Sequence, residues 1–238
     1  MNRILFEASE LDADGAVTFG GARAEHVRTI LHGEVGQPLK TGVVNGPIGT
    51  GVIESIDGET VTVRCVHDSE ALPPWIDLIL APPRPRAMKR LLPQLAAMGV
   101  GRVVLVGAAK VEKAFWGAQL LKEEVYRPLL VDGLMQAGTT ALPTIQLERA
   151  FGRWLDGGRF EEQFAGQTDR IVAHPGAQAT GREALAASRP VLAIGPEGGW
   201  TDAEVSRLEA HGFRRMSLGP RILRTDTATI ALLARLMV

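Results

Sequence analysis

The sequence of 238 residues lacks the features that are typical of exported, disulfide-bonded or membrane proteins. It contains a single cysteine, Cys65, so neither an internal disulfide nor a zinc site built on several cysteines can form. No apolar run approaches the roughly 18–20 residues that a membrane span needs. The N-terminus, MNRILFEASELDADG, carries acidic residues where a signal peptide has an apolar stretch. We therefore expect a soluble, cytoplasmic protein without a membrane partner.

Charge is nearly balanced over the whole chain, at −1, but it is unevenly distributed. Residues 1–70 hold 5 Lys and Arg against 11 Asp and Glu, whereas residues 71–238 hold 21 against 16. This asymmetry favours two domains and places any contact with a polyanion mainly in the second part. Two ordinary solvated surfaces would explain the same counts.

Residues 1–70 are predicted to form a small, barrel-like β domain. Val61, Val63 and Cys65 recur at the period of a strand. A helix is expected from about Ala22 to Leu31, and Ser69–Pro74 is expected to link this domain to the next. Three Asx-Gly pairs flanked by apolar or β-branched residues predict hairpins; they are Asp14-Gly15, Asn45-Gly46 and Asp57-Gly58.

Residues 71–238 are predicted to form an α/β domain with a mostly parallel sheet, because strand patterns alternate with helical ones. Pro93 and Pro128 fall inside helical patterns, so a kink or a shorter helix is expected at each. The strand candidates are Ile76–Ala81, Arg102–Val106, Arg170–Ala173, Pro190–Gly195 and Arg214–Leu218. The helix candidates are Ala87–Met98, Gln119–Gln136, Thr201–His211 and Thr227–Met237.

The sharpest local pattern is a glycine-rich turn in LAIGPEGGWTDAE, residues 192–204. An apolar strand runs into it and a helix follows, with Thr201 and Glu204 spaced as a capping box and Gly212 at the C′ position. In an open α/β sheet, ligands bind at such carboxyl ends of strands. The turn lacks the pattern of a P-loop or of G-x-G-x-x-G, and Glu197 would repel a phosphate. It suits a neutral or cationic ligand such as adenosine or a sulfonium; a tight turn without a ligand is the alternative.

A second pattern, LGPRILRTDTA, occupies residues 218–228 and again joins a strand end, a Gly-Pro turn and a helix. Arg221 and Arg224 stand three apart beside Thr225 and Asp226. A helix N-cap at Thr225 or Asp226 explains the polar residues. Two arginines in one turn, close to another glycine loop, also suit a functional site.

A basic cluster places four cations in the seven residues 84–90 without an acid. It can follow an RNA backbone, or it is the solvated start of a helix. The five histidines show no metal-ligand spacing, and no metal is expected. The cluster consists of Arg84, Arg86, Lys89 and Arg90.

The motifs IGPEGG and LGPRILRTDTA, in this order near the C-terminus, resemble the family of 16S ribosomal RNA uridine-N3 methyltransferases, small-subunit methyltransferase E. That family belongs to the SPOUT class of knotted S-adenosylmethionine enzymes. The Glu25-His26-Val27-Arg28 segment and the pair His174-Pro175 are also similar to the family pattern. The resemblance implies a PUA-like barrel in residues 1–70 and a methyltransferase domain with a C-terminal trefoil knot in residues 71–238.

The resemblance further implies methylation of uridine N3 in the small ribosomal subunit, with ribosomal RNA as partner and a homodimer as the assembly. Arg224 is expected to stabilise charge on the uridine, with Asp226 or Glu197 as proton acceptor. RNA contacts are expected at Arg28 and along the basic cluster. The terminal helix, with Ile230, Leu233 and Met237, suits either the dimer interface or the core. S-adenosylmethionine is expected to contact His174, Pro175, Gly195, Pro196, Glu197, Gly198, Gly199, Leu218, Gly219, Ile222, Leu223 and Thr225.

Three segments depart from the family pattern and leave the acceptor open. Met98-Gly99 replaces a Glu-Leu-Gly, and Gly107-Ala108-Ala109-Lys110 replaces a Ser-Glu-Arg segment. Thr139 and Ala141 stand where the family has arginines. One alternative is a SPOUT relative that methylates another base or a ribose 2′-hydroxyl. The other is a catalytically silent, RNA-binding relative.

Overall fold

The computed structural model describes residues 3–176 and 189–237, which form two compact units. The first unit comprises Met1–Pro73 and Leu130–Leu142, and the second comprises Pro74–Leu129 and Pro143–Val238. Residues 70–75, around the expected linker, carry neither helix nor strand. No pattern in the sequence indicates that residues 130–142 belong with the first unit.

The first unit is built on a five-stranded sheet in the order β1-β3-β4-β5-β2. β1 runs parallel to β3, and the other neighbours are antiparallel. Alternate residues of β5, among them Val61 and Val63, are fully buried in its core, as the strand period predicts. The strands are β1 Ile4–Phe6, β2 Ala16–Phe19, β3 Pro38–Val43, β4 Ile48–Asp57 and β5 Thr60–Ser69.

Two of the three predicted hairpins are confirmed, since Asn45-Gly46 joins β3 to β4 and Asp57-Gly58 joins β4 to β5. The hairpin at Asp14-Gly15 is wrong, because β2 pairs with β5 and not with β1. Its turn instead starts β2: one carboxylate oxygen of Asp12 accepts bonds from the backbone N–H groups of residues 14 and 16. The helix expected over Ala22–Leu31 is α1, Gly21–Glu25, followed by a π turn over His26–Ile30.

The second unit contains a six-stranded sheet in the order β11-β9-β10-β6-β7-β8, with every neighbouring pair parallel. The α/β prediction is therefore confirmed. All residues of β6 and β10 are buried, as in strands covered on both faces. β8 escaped prediction because it is a polar edge strand with one buried residue, Glu148. The strands are β6 Ile76–Leu80, β7 Val100–Val106, β8 Thr144–Glu148, β9 Arg170–Ala173, β10 Val191–Ile194 and β11 Arg214–Met216.

The four predicted helices of this region are present with shifted ends. Gln119–Leu121 forms a separate 3₁₀ turn before α3, and Pro93 and Pro128 lie inside α2 and α3, which continue past them. No helix in the described ranges is long and apolar enough to cross a membrane. The helices after α1 are α2 Pro85–Ala97, α3 Glu123–Ala137, α4 Phe151–Asp156, α5 Arg159–Gln163, α6 Asp202–Ala210 and α7 Thr225–Met237.

Candidate active site

A cavity of about 390 Å³ opens in the second unit where β9, β10 and β11 end. Because these strands are parallel neighbours, their following loops meet at one edge of the sheet. The walls are formed by Ala173–Pro175, Ile194–Trp200, Met216–Gly219, Arg221–Leu223 and the inner side of α7. The cavity therefore combines the IGPEGG and LGPRILRTDTA motifs, although 18 residues separate them in the sequence.

The loop after β10, residues 195–199, is called the glycine loop below. It closes through a bond from the N–H of Gly199 to the carbonyl of Pro196, 2.8 Å, with Gly199 at a φ of +69°. Trp200, which follows it, is buried and stacks on Phe151 with ring centroids 5.3 Å apart. The indole N–H of Trp200 has no hydrogen-bond partner among the described residues. The buried Trp200 ring thus anchors one end of a loop in which three of the five residues are glycines.

The predicted capping box of α6 is confirmed and also ties the glycine loop to another segment. The Thr201 hydroxyl accepts from the Glu204 N–H, and the buried Glu204 carboxylate accepts from the Thr201 N–H at 2.8 Å. The other carboxylate oxygen accepts from the N–H of Ala109 at 2.7 Å. The segment after β7 is therefore bonded to the helix that starts at the glycine loop.

Two neighbouring segments are bonded to the glycine loop, one through a lysine side chain and the other through a backbone N–H group. The ammonium of Lys110 donates to the carbonyl of Gly198 at 2.8 Å, and the backbone N–H of Arg84 donates to the Glu197 carboxylate at 3.0 Å. A Cβ added at Gly198 would stand 3.0 Å from Cδ of Lys110. The glycine at position 198 thus lets the lysine stem lie against the loop.

The other two walls are bonded to each other and to the glycine loop. The N–H of His174 donates to the carbonyl of Met216 at 2.9 Å, and the Ser217 hydroxyl donates to the carbonyl of Pro175 at 3.3 Å. The Thr225 hydroxyl, at the start of α7, donates to the carbonyl of Gly195 at 3.3 Å. These contacts hold all three loops in one arrangement around the cavity.

All twelve residues expected to contact a cofactor line this cavity, from His174 to Thr225. Trp200 follows the glycine loop directly, and Ala228 and Leu232 lie three and seven residues after Thr225, on the same side of α7. These three positions could have been inferred from helical spacing and adjacency, and Ser217 from its position directly before Leu218. The lining residues that sequence reasoning missed are Ala173, Ile194, Trp200, Met216, Ser217, Arg221, Ala228 and Leu232.

The two predicted catalytic residues flank Thr225 without lining the cavity. Arg224 is exposed, and its guanidinium bonds to none of the described residues. The carboxylate of Asp226 pairs with Arg90 at 3.1 Å, and its side chain is 21% exposed. An expected catalytic residue and an expected RNA contact thus meet in one ion pair.

The remaining predicted RNA contacts fall into two places. Arg84 caps α2 and pairs with Glu112 at 3.0 Å, while Arg86 and Lys89 are exposed on the first turns of α2. In the first unit, the guanidinium of Arg28 donates to the carbonyl of Gly58 at 2.6 Å. Burial lowers the pKa of His26, in the same π turn, below its ordinary value. Within residues 3–176 and 189–237, no three His, Cys, Asp or Glu side chains are grouped as metal ligands.

Glycine-lined loops around a cavity at the carboxyl edge of a parallel sheet are typical of one class, the α/β proteins that bind a small organic ligand. The RNA methyltransferase domain family matches residues 70–237. A ribosomal RNA small subunit methyltransferase E from Treponema pallidum is 31% identical over 97% of this chain and 88% of its own length. The chain belongs to this methyltransferase E family, and it is an RNA methyltransferase.

Solved structures show the same fold over the whole chain. A protein from Legionella pneumophila, solved with the bound cofactor S-adenosylmethionine, has a TM-score of 0.75 at 22% identity and covers 99% of this chain and 96% of its own. A ribosomal RNA small subunit methyltransferase E from Neisseria gonorrhoeae, bound to S-adenosylmethionine, has a TM-score of 0.75 at 19% identity and covers 98% of this chain and 95% of its own.

Proposed function

We propose that this protein transfers the methyl group of S-adenosylmethionine to N3 of a uridine in 16S ribosomal RNA of the small subunit, in the cytoplasm. The observation that carries the proposal is the single cavity lined by both the IGPEGG and the LGPRILRTDTA motifs. Family membership supports the methyl transfer. The choice of uridine N3 rests on the resemblance of the two motifs to the uridine-N3 family.

The cavity fits an adenosine-type cofactor. Its volume, about 390 Å³, lies in the range of small-molecule sites. Gly199 and Gly219 border it with left-handed φ angles of +69° and +113°, and a Cβ on either would meet no protein atom within 4 Å. The buried indole N–H of Trp200, which bonds to none of the described residues, adds a donor beside Gly195. A ligand can therefore approach the backbone of the loops closely, and the Trp200 N–H is available to hydrogen-bond to it, as an adenosine requires.

S-adenosylmethionine supplies an electrophilic methyl group on a cationic sulfur. The carboxylate of Glu197 gives the glycine loop a negative charge that suits a cation and disfavours a phosphate. Ile222, 85% exposed, and Leu223 supply apolar side chains to the lining of the cavity. We assign these residues to binding and orientation, which together contribute several kcal/mol by aligning the reactants.

Uridine N3 carries an imide proton, which must be lost or shared before the nitrogen can attack. We assign Asp226 or Glu197 as the proton acceptor and Arg224 as the cation that stabilises charge developing on the pyrimidine oxygens. The free guanidinium of Arg224 is available for this task without breaking a bond to any described residue. Orientation and charge stabilisation then suffice, and the proposal assigns no role to a metal.

RNA binding is assigned to Arg84, Arg86, Lys89 and Arg90 in the second unit and to Arg28 in the first. The two functional domains are residues 1–70, proposed to be PUA-like and RNA-binding, and residues 71–238, proposed to carry a C-terminal trefoil knot. The bond from Thr225 to Gly195 across the β10 loop supports a close passage of the last segment past that loop. We also propose a homodimer, to be measured by sedimentation, with Met237, 42% exposed, at the interface.

The experiment is a methylation assay with assembled small subunits and with deproteinised RNA, followed by nucleoside mass spectrometry. We expect 3-methyluridine and a shallow dependence on salt, because a chain of net charge −1 makes few phosphate contacts. Isothermal titration with S-adenosylmethionine accompanies it. A 2′-O-methyl nucleoside would reassign the acceptor, and tight cofactor binding without any methylated nucleoside would refute the activity.

A further inference from the structure

A tryptophan and an arginine outside the cavity lie at the same edge of the sheet. Trp116 belongs to the 3₁₀ turn Lys113–Gly117, in the segment that follows β7, and Arg149 directly follows β8. Since β7 and β8 are parallel neighbours, both residues lie at the carboxyl edge, where the loops of the cavity also begin. The proposed function assigns neither residue a role.

The two side chains form an open stack. The guanidinium carbon of Arg149 lies 5.5 Å from the centroid of the Trp116 ring, and its Nη2 donates to the Trp116 carbonyl at 3.1 Å. Phe115, buried at 2% exposure, meets the Trp116 ring edge-on with centroids 5.7 Å apart. The backbone bond and the buried neighbour fix the ring, so little conformational entropy is lost when a ligand stacks on it.

Trp116 also differs from the other three tryptophans. The indole N–H groups of Trp75 and Trp154 donate to Met98 and Gln163, and that of Trp200 is buried. Trp116 is half-buried, and its indole N–H donates to no residue in the described part of the chain. It therefore keeps both a partly accessible ring and a free donor.

The segment that carries Trp116 is bonded to the glycine loop at its other end. Ala109 and Lys110 make the bonds to Glu204 and Gly198 described above, 2.7 and 2.8 Å long. β7 lies two strands from β10, and β8 lies three, so the stack stands roughly 10–15 Å along the edge from the glycine loop. That distance is longer than the separation of two directly stacked bases, which is about 3.4 Å.

We propose that Trp116 and Arg149 form a platform on which an unpaired nucleobase of the RNA stacks, a neighbour in sequence or in space of the methylated base. Single-stranded RNA is held by aromatic rings and arginine planes in this way, and every base offers a face for stacking. The guanidinium adds a positive charge for the adjoining phosphate. This inference rests on the proposed function, because it needs an RNA substrate at the same edge.

The test compares Trp116→Ala and Trp116→Phe with the wild-type full chain on assembled small subunits. Loss of one stacked base is expected to raise KM for the subunit about tenfold or more in Trp116→Ala, while Trp116→Phe recovers most of it. The affinity for S-adenosylmethionine should not change, because Trp116 does not line the cavity. Leu147→Ala is the matched control: it removes an apolar side chain, 41% exposed, from β8, the strand that Arg149 follows, and should leave KM unchanged.

A second measurement does not depend on turnover. Binding of a short oligouridylate should quench tryptophan fluorescence in the wild-type protein and much less in Trp116→Phe, so it reports on the platform even if the wild type methylates no uridine. An unchanged KM in Trp116→Ala, or equal quenching in both proteins, would overturn the proposal. Sedimentation of Trp116→Ala as a monomer where the wild type is a dimer would also overturn it, by assigning the ring to a contact between copies.

Discussion

Replacing Gly199 with alanine tests whether the glycine loop binds the cofactor. Gly199 has a φ of +69°, where a Cβ costs about 1–2 kcal/mol. No protein atom lies within 4 Å of that Cβ, so the cost is backbone strain and not a clash. The loop of the ligand-free variant can relax to relieve this strain, and binding of the cofactor must then restore the strained conformation. The affinity for the cofactor therefore falls by a factor of about 5–30. Gly199→Val adds bulk on the cavity side and should lower affinity further.

Gly212→Ala supplies the matched control. Gly212 has a φ of +81°, a Cβ there also meets nothing within 4 Å, and it lies at the end of α6 away from the cavity lining. Gly212→Ala should lower the melting temperature by about 2–8 °C and Gly199→Ala by no more than that, whereas only Gly199→Ala should weaken S-adenosylmethionine binding in isothermal titration. Equal affinity in the two variants would refute the assignment of the glycine loop.

Two further variants test positioning and catalysis. Lys110→Met removes the bond to the Gly198 carbonyl, which is worth about 1 kcal/mol, and should raise KM for the cofactor about fivefold at unchanged kcat. Lys110→Arg should restore the wild-type KM, and the control Lys113→Met should not change it. An unaltered KM in Lys110→Met would contradict a role of Lys110 in positioning the glycine loop. Arg224→Ala should lower kcat about 10²–10³-fold with little effect on cofactor affinity, because the Arg224 guanidinium interacts with charge that forms in the transition state. If the turnover of this variant stays near the wild-type value, Arg224 has no role in the mechanism.

The cofactor side of the site could be predicted from the sequence because its parts are local. Each motif contains a strand end, a turn and a helix start within about a dozen residues, so adjacency in the chain translates directly into adjacency in the cavity. The capping box of Thr201 and Glu204 was predictable for the same reason, since both of its bonds span three residues.

The contacts that fix the loop could not be predicted, because they join residues far apart in the chain. Ala109 and Glu204 are 95 positions apart, and Lys110 and Gly198 are 88 apart. Residues 130–142 fall inside the predicted α/β domain, and the helix predicted over Gln119–Gln136 extends into them, yet the carbonyls of Met135 and Gly138 accept bonds from Arg3 in the first unit. Helical periodicity indicates that a segment is a helix and which face is apolar, but not which unit it packs against.

The ion pair between Arg90 and Asp226 joins two parts of the proposed mechanism. It bridges α2, which carries the basic cluster, and the first turn of α7, next to Thr225 of the cavity. Arg90 is 61% exposed, so the pair contributes at most about 1 kcal/mol, and an RNA phosphate can take over Arg90 at little cost. Arg84, at the other end of the cluster, holds Glu197 of the glycine loop through its backbone. The basic cluster therefore adjoins the cavity at two points, so an RNA strand bound along α2, as proposed, would lie next to the proposed reacting groups.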